Sequence, residues 1–219
     1  MKTFAAQENN QTKEKGPSNK KGELKVSVSI GDRIQAAIDH MDKGDVELAL
    51  SDVCIAIDIT SQKYLNVEKS SRSTYKQFLK DNMWIILTAG FGGVVVEDIK
   101  IPFQHPEIKG DDQGYCTLED VIYHVMRCGL LHGTGENDGL VWTKEVILAC
   151  HEGKLNISPT FIWGMMLAVI TCPCNQQEHV NDTSWISMAS FKYLVNDLWG
   201  KKESVRMMIK SQFSVQIEG

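Results

Sequence analysis

DRIQAAIDHMDKGDVELALSDVCIAIDITSQKYL, residues 32–65, decides the fold class. Asp32 to Met41 carries apolar residues at helical spacing, and Gly44 breaks the pattern. From about Asp45 to Leu65 the period resumes, with Val46, Ala49, Leu50, Val53, Ile57 and Tyr64 on one stripe and Glu47, Asp52, Asp58 and Lys63 mostly outside it. Two amphipathic helices joined by a tight Gly44-Asp45 connection read as an antiparallel hairpin. The fold class expected is therefore mainly α, a helical bundle.

Working outward, a third helix spans roughly Ser73 to Leu87, led by Tyr75, Phe78, Leu79 and Trp84. Leu24, Val26, Val28 and Ile30 alternate with polar residues, as do Phe213, Val215 and Ile217. Short strands near the two termini are expected, paired with each other. Residues 89–116 hold Gly90, Gly92, Gly93, Pro102, Pro106, Gly110 and Gly114 and read as a long irregular insertion, either a cover over a site or a mobile loop. Thr117 caps the next helix, with Asp120 three residues on, and its apolar face is Leu118, Val121, Ile122 and Val125. Val146–Cys150 and Lys154–Ser158 flank a His151-Glu152-Gly153 turn and suggest one hairpin. Ser158-Pro159 starts a helix that runs through Ile170 and stops near Pro173, and a last helix is expected from about Ser184 to Trp199, ended by Gly200.

Composition bounds the function. The chain has 219 residues and a formal net charge of −5. Residues 1–25 hold six Lys and three Glu, so the rest carries −8. A nucleic-acid site would then be a local pocket and not a broad basic face. Residues 1–22 are rich in Lys, Asn, Gln, Gly and Ser and read as a disordered tail, leaving 23–219 as a single helical domain. The apolar run Phe161–Cys172 is interrupted by Gly164 and falls far short of the ~20 residues a membrane span needs. With no signal-peptide-like start and six scattered cysteines, the expectation is a cytoplasmic protein with reduced thiols and no membrane partner.

Chemistry concentrates in Arg127-Cys128-Gly129-Leu130-Leu131-His132-Gly133. On a straight helix Arg127 and His132 stand about 140° apart, but Gly129 and Gly133 weaken the helix and let both side chains reach one cavity. A guanidinium clamps phosphate oxygens, and an imidazole moves a proton at neutral pH. The pair suits metal-independent cleavage of RNA, with the ribose 2′-OH as nucleophile. Tyr123, His124 and Cys128 are accessory candidates. No cofactor and no metal are expected.

This segment resembles the signature of the HEPN superfamily, an Arg followed after four to six residues by His, and the 32–65 hairpin is similar to the opening of HEPN bundles. The resemblance covers about residues 30–135. It implies a dimerising helical bundle and a metal-independent endoribonuclease of bacterial defence or toxin–antitoxin systems, with RNA as substrate and an antitoxin or other protein as partner. Arg127 would be the phosphate clamp and His132 the general acid/base. Members that have lost activity serve as binding or regulatory modules, and Cys128 stands where active members usually carry Asn, Asp or His.

The competing reading makes Arg127 a structural partner of Asp120 or Glu119, and His132 a helix C-terminal cap. Cys172-Pro173-Cys174 with His179 lacks the fourth ligand and the wider spacing that zinc usually takes. The pairs Glu97-Asp98, Asp111-Asp112 and Glu119-Asp120 read as solvated, and Trp163, Met165, Met166 and Leu167 as core. Gly90-Phe91-Gly92-Gly93 lacks the lysine and the strand-to-helix context of a phosphate loop. Deleting residues 1–22 is expected to leave the thermal midpoint nearly unchanged in a calorimetric scan; a large drop would make the segment part of the fold.

Overall fold

The computed structural model describes residues 28–92, 99–129, 139–188 and 191–213. The tail expected at 1–22 lies outside the described residues. Helix α1 (Ile30–Lys43) starts at a capping box: the Ser29 hydroxyl accepts from the Asp32 N–H at 3.0 Å, and the Asp32 carboxylate accepts from the Ser29 N–H at 2.9 Å. It ends at Gly44, whose φ of 82° is the left-handed conformation that glycine adopts most easily. Helix α2 (Val46–Leu65) follows at once and packs along α1, burying Ala49, Leu50, Val53 and Ile57 as the stripe predicts. Asp52 departs from the expected polar face. It is nearly buried and takes a 2.8 Å ion pair from Arg33 across the hairpin.

Helix α3 (Arg72–Phe91) also opens on a capping box, Ser71 with Thr74, and runs four residues past its expected end. Strands β1 (Lys100–Pro102) and β2 (Tyr115–Thr117) pair antiparallel and close the segment between them. The described part of the irregular insertion is therefore tied to the body, with Ile101, Phe103, Ile108 and Cys116 buried. Residues 93–98 of that insertion lie outside the described residues. Helix α4 starts at Leu118–Val121 and continues as a π-helix over Ile122–Cys128.

A small sheet comes next. Strands β3 (Leu140–Trp142), β4 (Leu148–His151) and β5 (Lys154–Ile157) lie in the order β3-β5-β4; β3 is parallel to β5, and β4 is antiparallel to it. The hairpin expected around His151-Glu152-Gly153 is β4–β5, turning through Glu152 (φ 50°) and Gly153 (φ 74°). Helix α5 (Thr160–Thr171) is buried along almost its whole length. It lies along α3. Two glycines allow the approach: a Cβ on Gly164 would collide with the Ile86 carbonyl oxygen, and one on Gly90 would stand 3.1 Å from the Phe161 Cα.

Three expectations fail. Val28 and Ser29 form no strand and Ile30 belongs to α1, because the Ser29-x-x-Asp32 cap outweighs the two-residue alternation. Residues 24–27 and 214–217 lie outside the described residues, and Phe213 closes a helix, α6 (Lys202–Phe213), which buries Val205 and Ile209. The helix expected at Ser184–Trp199 is instead strand β6 (Trp185–Met188), strand β7 (Phe191–Leu194) and a 3-10 turn at Val195–Asp197. The period there is two: Ile186 is buried between exposed Trp185 and Ser187.

The fold is thus mainly helical with short strands, and its buried apolar residues form one continuous cluster. No described helix is long and apolar enough to cross a membrane. Gly164→Ala is expected to overpack the α3–α5 contact and destabilise by about 1–3 kcal/mol, lowering the thermal midpoint by roughly 2–10 °C. An unchanged midpoint would mean the two helices can separate at no cost.

Candidate functional site

The π-helical stretch sets the site. Widening the hydrogen-bond ring by one residue rotates every later side chain relative to an unbroken α-helix, and such segments recur at functional positions. Here Ile122, His124, Val125 and Met126 face inward, while Tyr123, Arg127 and Cys128 are half-buried. Arg127 reaches across to α2: its Nε and Nη2 donate to the same oxygen of Asp58, Oδ2, at 3.2 and 3.1 Å. The other Asp58 oxygen accepts from the Ser70 hydroxyl at 2.7 Å. Burial would lower the Arg127 pKa, but the Asp58 carboxylate, Cys128 and Tyr123 outweigh it and hold the guanidinium above its ordinary value.

Tyr123 is shared by two cations. The Arg127 guanidinium lies 5.3 Å from its ring centroid and that of Arg72 lies 5.9 Å from it. Arg72 and Lys76 both pair with Asp120, so one of the two acids expected to hold Arg127 is engaged elsewhere. The actual partner, Asp58, lies 69 residues upstream. Its only signal in the sequence was a charge at the margin of the α2 stripe. The Nη1 edge of Arg127 has the Cys128 sulfur at 4.0 Å.

His132 lies outside the described residues. His124 is described, and its ring faces Glu107. It is 4% exposed, its Nδ1 is 3.2 Å from the Glu107 carboxylate, and its ring packs on Tyr123 and His105. Burial lowers its pKa, Arg72 and His105 add to that, and Glu107 opposes it. The His179 imidazole is exposed and pairs with Asp182 at 3.1 Å, away from the two thiols near it in sequence. Among the described residues no group of three His, Cys, Asp or Glu side chains could hold a metal ion.

A second feature was not anticipated. A cleft of about 520 Å³ opens between α1, α5 and β6, with Gln35, Asp39, Asp42, Trp163 and Trp185 in its lining. Neither Arg127 nor Tyr123 lines it. Two carboxylates beside two indoles suit a cationic or hydrogen-bond-donating ligand. The helical expectation for 184–199 does not reveal this cleft, because one of its walls is a strand there.

The lowered His124 pKa gives a signed expectation. A histidine whose folded pKa lies below its unfolded value near 6.5 adds stability fully above that value, and this stability is lost as pH falls toward the folded pKa. Urea midpoints should therefore drop as pH falls below about 6.5 in the wild type and drop less in His124→Phe. Equal slopes would show that His124 titrates normally.

Comparison with known proteins places the chain in a family. The profile of the Rv1289 family matches residues 29–218. Uncharacterized protein Rv1289 of Mycobacterium tuberculosis and uncharacterized protein Mb1320 of Mycobacterium bovis are each 20% identical over 193 residues, covering 84% of this chain and 89% of their own length. No solved structure matches. Because the matched span runs from the cap of α1 to beyond α6 and takes in both Asp58 and Arg127, the chain belongs to the Rv1289 family.

Proposed function

We propose that the Arg127 face binds RNA phosphate and that the protein is a metal-independent endoribonuclease of a bacterial defence or toxin–antitoxin type. The carrying observation is the orientation of Arg127. Asp58 takes the Nε–H and one Nη2–H, fixing the guanidinium plane and leaving the Nη1 edge for a phosphate oxygen. Arg72, which shares the Tyr123 ring with Arg127, supplies a second cation. His132 follows five residues later in the sequence and would move the proton. Attack of the 2′-oxygen on phosphorus expels the 5′-oxygen, leaving a 2′,3′-cyclic phosphate and a 5′-hydroxyl.

Two copies of this segment across a homodimer axis would gather two arginines and two histidines into one cleft, since an isologous interface meets itself. Phosphate between them would relieve the repulsion of the guanidinium groups. The HEPN resemblance supports this assembly as well as the chemistry, and an antitoxin or other protein would cover the same face.

A binding module without catalysis is the second reading. The Asp58 pair favours it, because a guanidinium already neutralised binds phosphate more weakly, and the Asp39–Asp42 cleft offers a separate ligand site.

Purified protein with end-labelled RNA in EDTA should yield cyclic-phosphate ends. Arg127→Ala should slow cleavage about 10²–10³-fold, as loss of a transition-state charge stabiliser does, and His132→Ala should abolish it. Intact RNA in EDTA and in added divalent ions alike would leave only the binding module. In sedimentation, a short RNA at a hundredfold excess over its dissociation constant should stabilise the dimer by about 2.7 kcal/mol. A monomer under every condition would remove the shared cleft.

A further inference from the structure

The end of α5 turns through Cys172-Pro173-Cys174, a segment with no part in the phosphate site. Cys172 leaves the helix at φ −59° and ψ 126°, and Pro173 opens a 3-10 turn over Pro173–Asn175. This turn folds the chain back so that the two sulfurs stand 3.2 Å apart. It is built from outside the thiols. The buried Asn175 amide donates to the Thr60 hydroxyl at 3.0 Å and to the Val169 carbonyl at 2.9 Å. The Asn175 N–H bonds the Cys172 carbonyl at 2.9 Å, and the Gly200 N–H bonds the Ile170 carbonyl at 2.9 Å. A disulfide needs the sulfurs about 2.05 Å apart, so closure asks for a shift of about 1.2 Å.

Access is asymmetric. Cys172 is 1% exposed, while Cys174 is half-buried. We propose that Cys172 and Cys174 are a reversible dithiol–disulfide site that exchanges with small disulfides such as oxidised glutathione. The surroundings favour one thiolate on the pair. The Cys174 thiol and its backbone N–H bring the Cys172 thiol down to about 7 against the opposing effect of burial, and Lys202 and Lys63 add to this. The same contact pushes the Cys174 thiol up, so the pair shares one proton near neutral pH. Burial raises the thiols of Cys54, to about 12, and of Cys116 and Cys150, which leaves those three less reactive.

The exchange balances in two steps. The shared proton first passes from Cys174 to Cys172 across their 3.2 Å contact, and the accessible Cys174 thiolate then attacks the small disulfide, forming a mixed disulfide and releasing one small thiolate. That thiolate takes the proton from Cys172. The Cys172 thiolate then attacks the Cys174 sulfur, closing the intramolecular bond and expelling the second small thiolate. The protein loses two electrons, and one small disulfide becomes one small thiol and one small thiolate.

Trypsin releases Leu155–Lys192 as one peptide whose only cysteines are these two. Full-length reduced protein is incubated with oxidised glutathione, alkylated and digested. This peptide should lose the mass of two hydrogens, escape alkylation, and regain both thiols with dithiothreitol. Its formation rate should rise as pH passes through about 7. Cys172→Ser should instead trap a glutathione adduct on Cys174, a result a merely packed thiol would not give. Both cysteines alkylated after prolonged incubation, or glutathione recovered only on Cys128, would overturn the assignment.

Discussion

The contact between α3 and α5 is the constraint on which the other parts depend. Gly164 lies against the Ile86 carbonyl and Gly90 against the Phe161 backbone, so the two helices meet with no side chain between them at these points. The Thr160 hydroxyl donates to the Gly90 carbonyl at 2.6 Å and fixes their relative height. That spacing sets where α2 can lie, since α2 packs on both helices, and α2 in turn carries Asp58 to Arg127 and Thr60 to Asn175. A change of one methyl group at the glycines would move both sites together.

Electrostatics within the body is arranged in pairs that cross between elements. Arg33 meets Asp52, Arg127 meets Asp58, Lys63 meets Glu178, and Arg72 with Lys76 meets Asp120. Exposed pairs of this kind are worth little individually. Those on α2 are partly covered, and there each charge would be costly to leave alone. Pairing therefore works as positional information: it decides which way Arg127 points more than how stable the fold is.

The sequence showed the parts whose information is local. The α1–α2 hairpin was legible because a 3.6-residue stripe and a glycine break act within a few residues. The β4–β5 hairpin was legible through His151-Glu152-Gly153. What was missed depends on contacts distant in the chain. Asp58 gains its role only when α4 is brought beside α2, and the π-helical turn that aims Arg127 has no residue signature. Residues 185–194 have no clear period in the sequence, since Trp185-Ile186 and Tyr193-Leu194 are adjacent apolar pairs, and short apolar runs do not distinguish helix from strand. Lys202–Phe213 is hard to recognise as a helix from sequence, because Val205 and Ile209 alone make a thin stripe. The Arg127 segment itself was found from its chemistry, ahead of any knowledge of its neighbours.

The link from Gly90 to Thr160 closes a chain segment of 70 residues. Closure entropy grows only with the logarithm of length, at about 0.6 kcal/mol per doubling. Relatives can therefore lengthen or shorten the turns inside that span, between β1 and β2 or between β3 and β4, with little effect on stability. One methyl group at Gly164 would cost more than a loop twice as long. Divergence in this family should then follow an uneven rule: generous with insertions at the surface and strict about a few atoms where two helices touch.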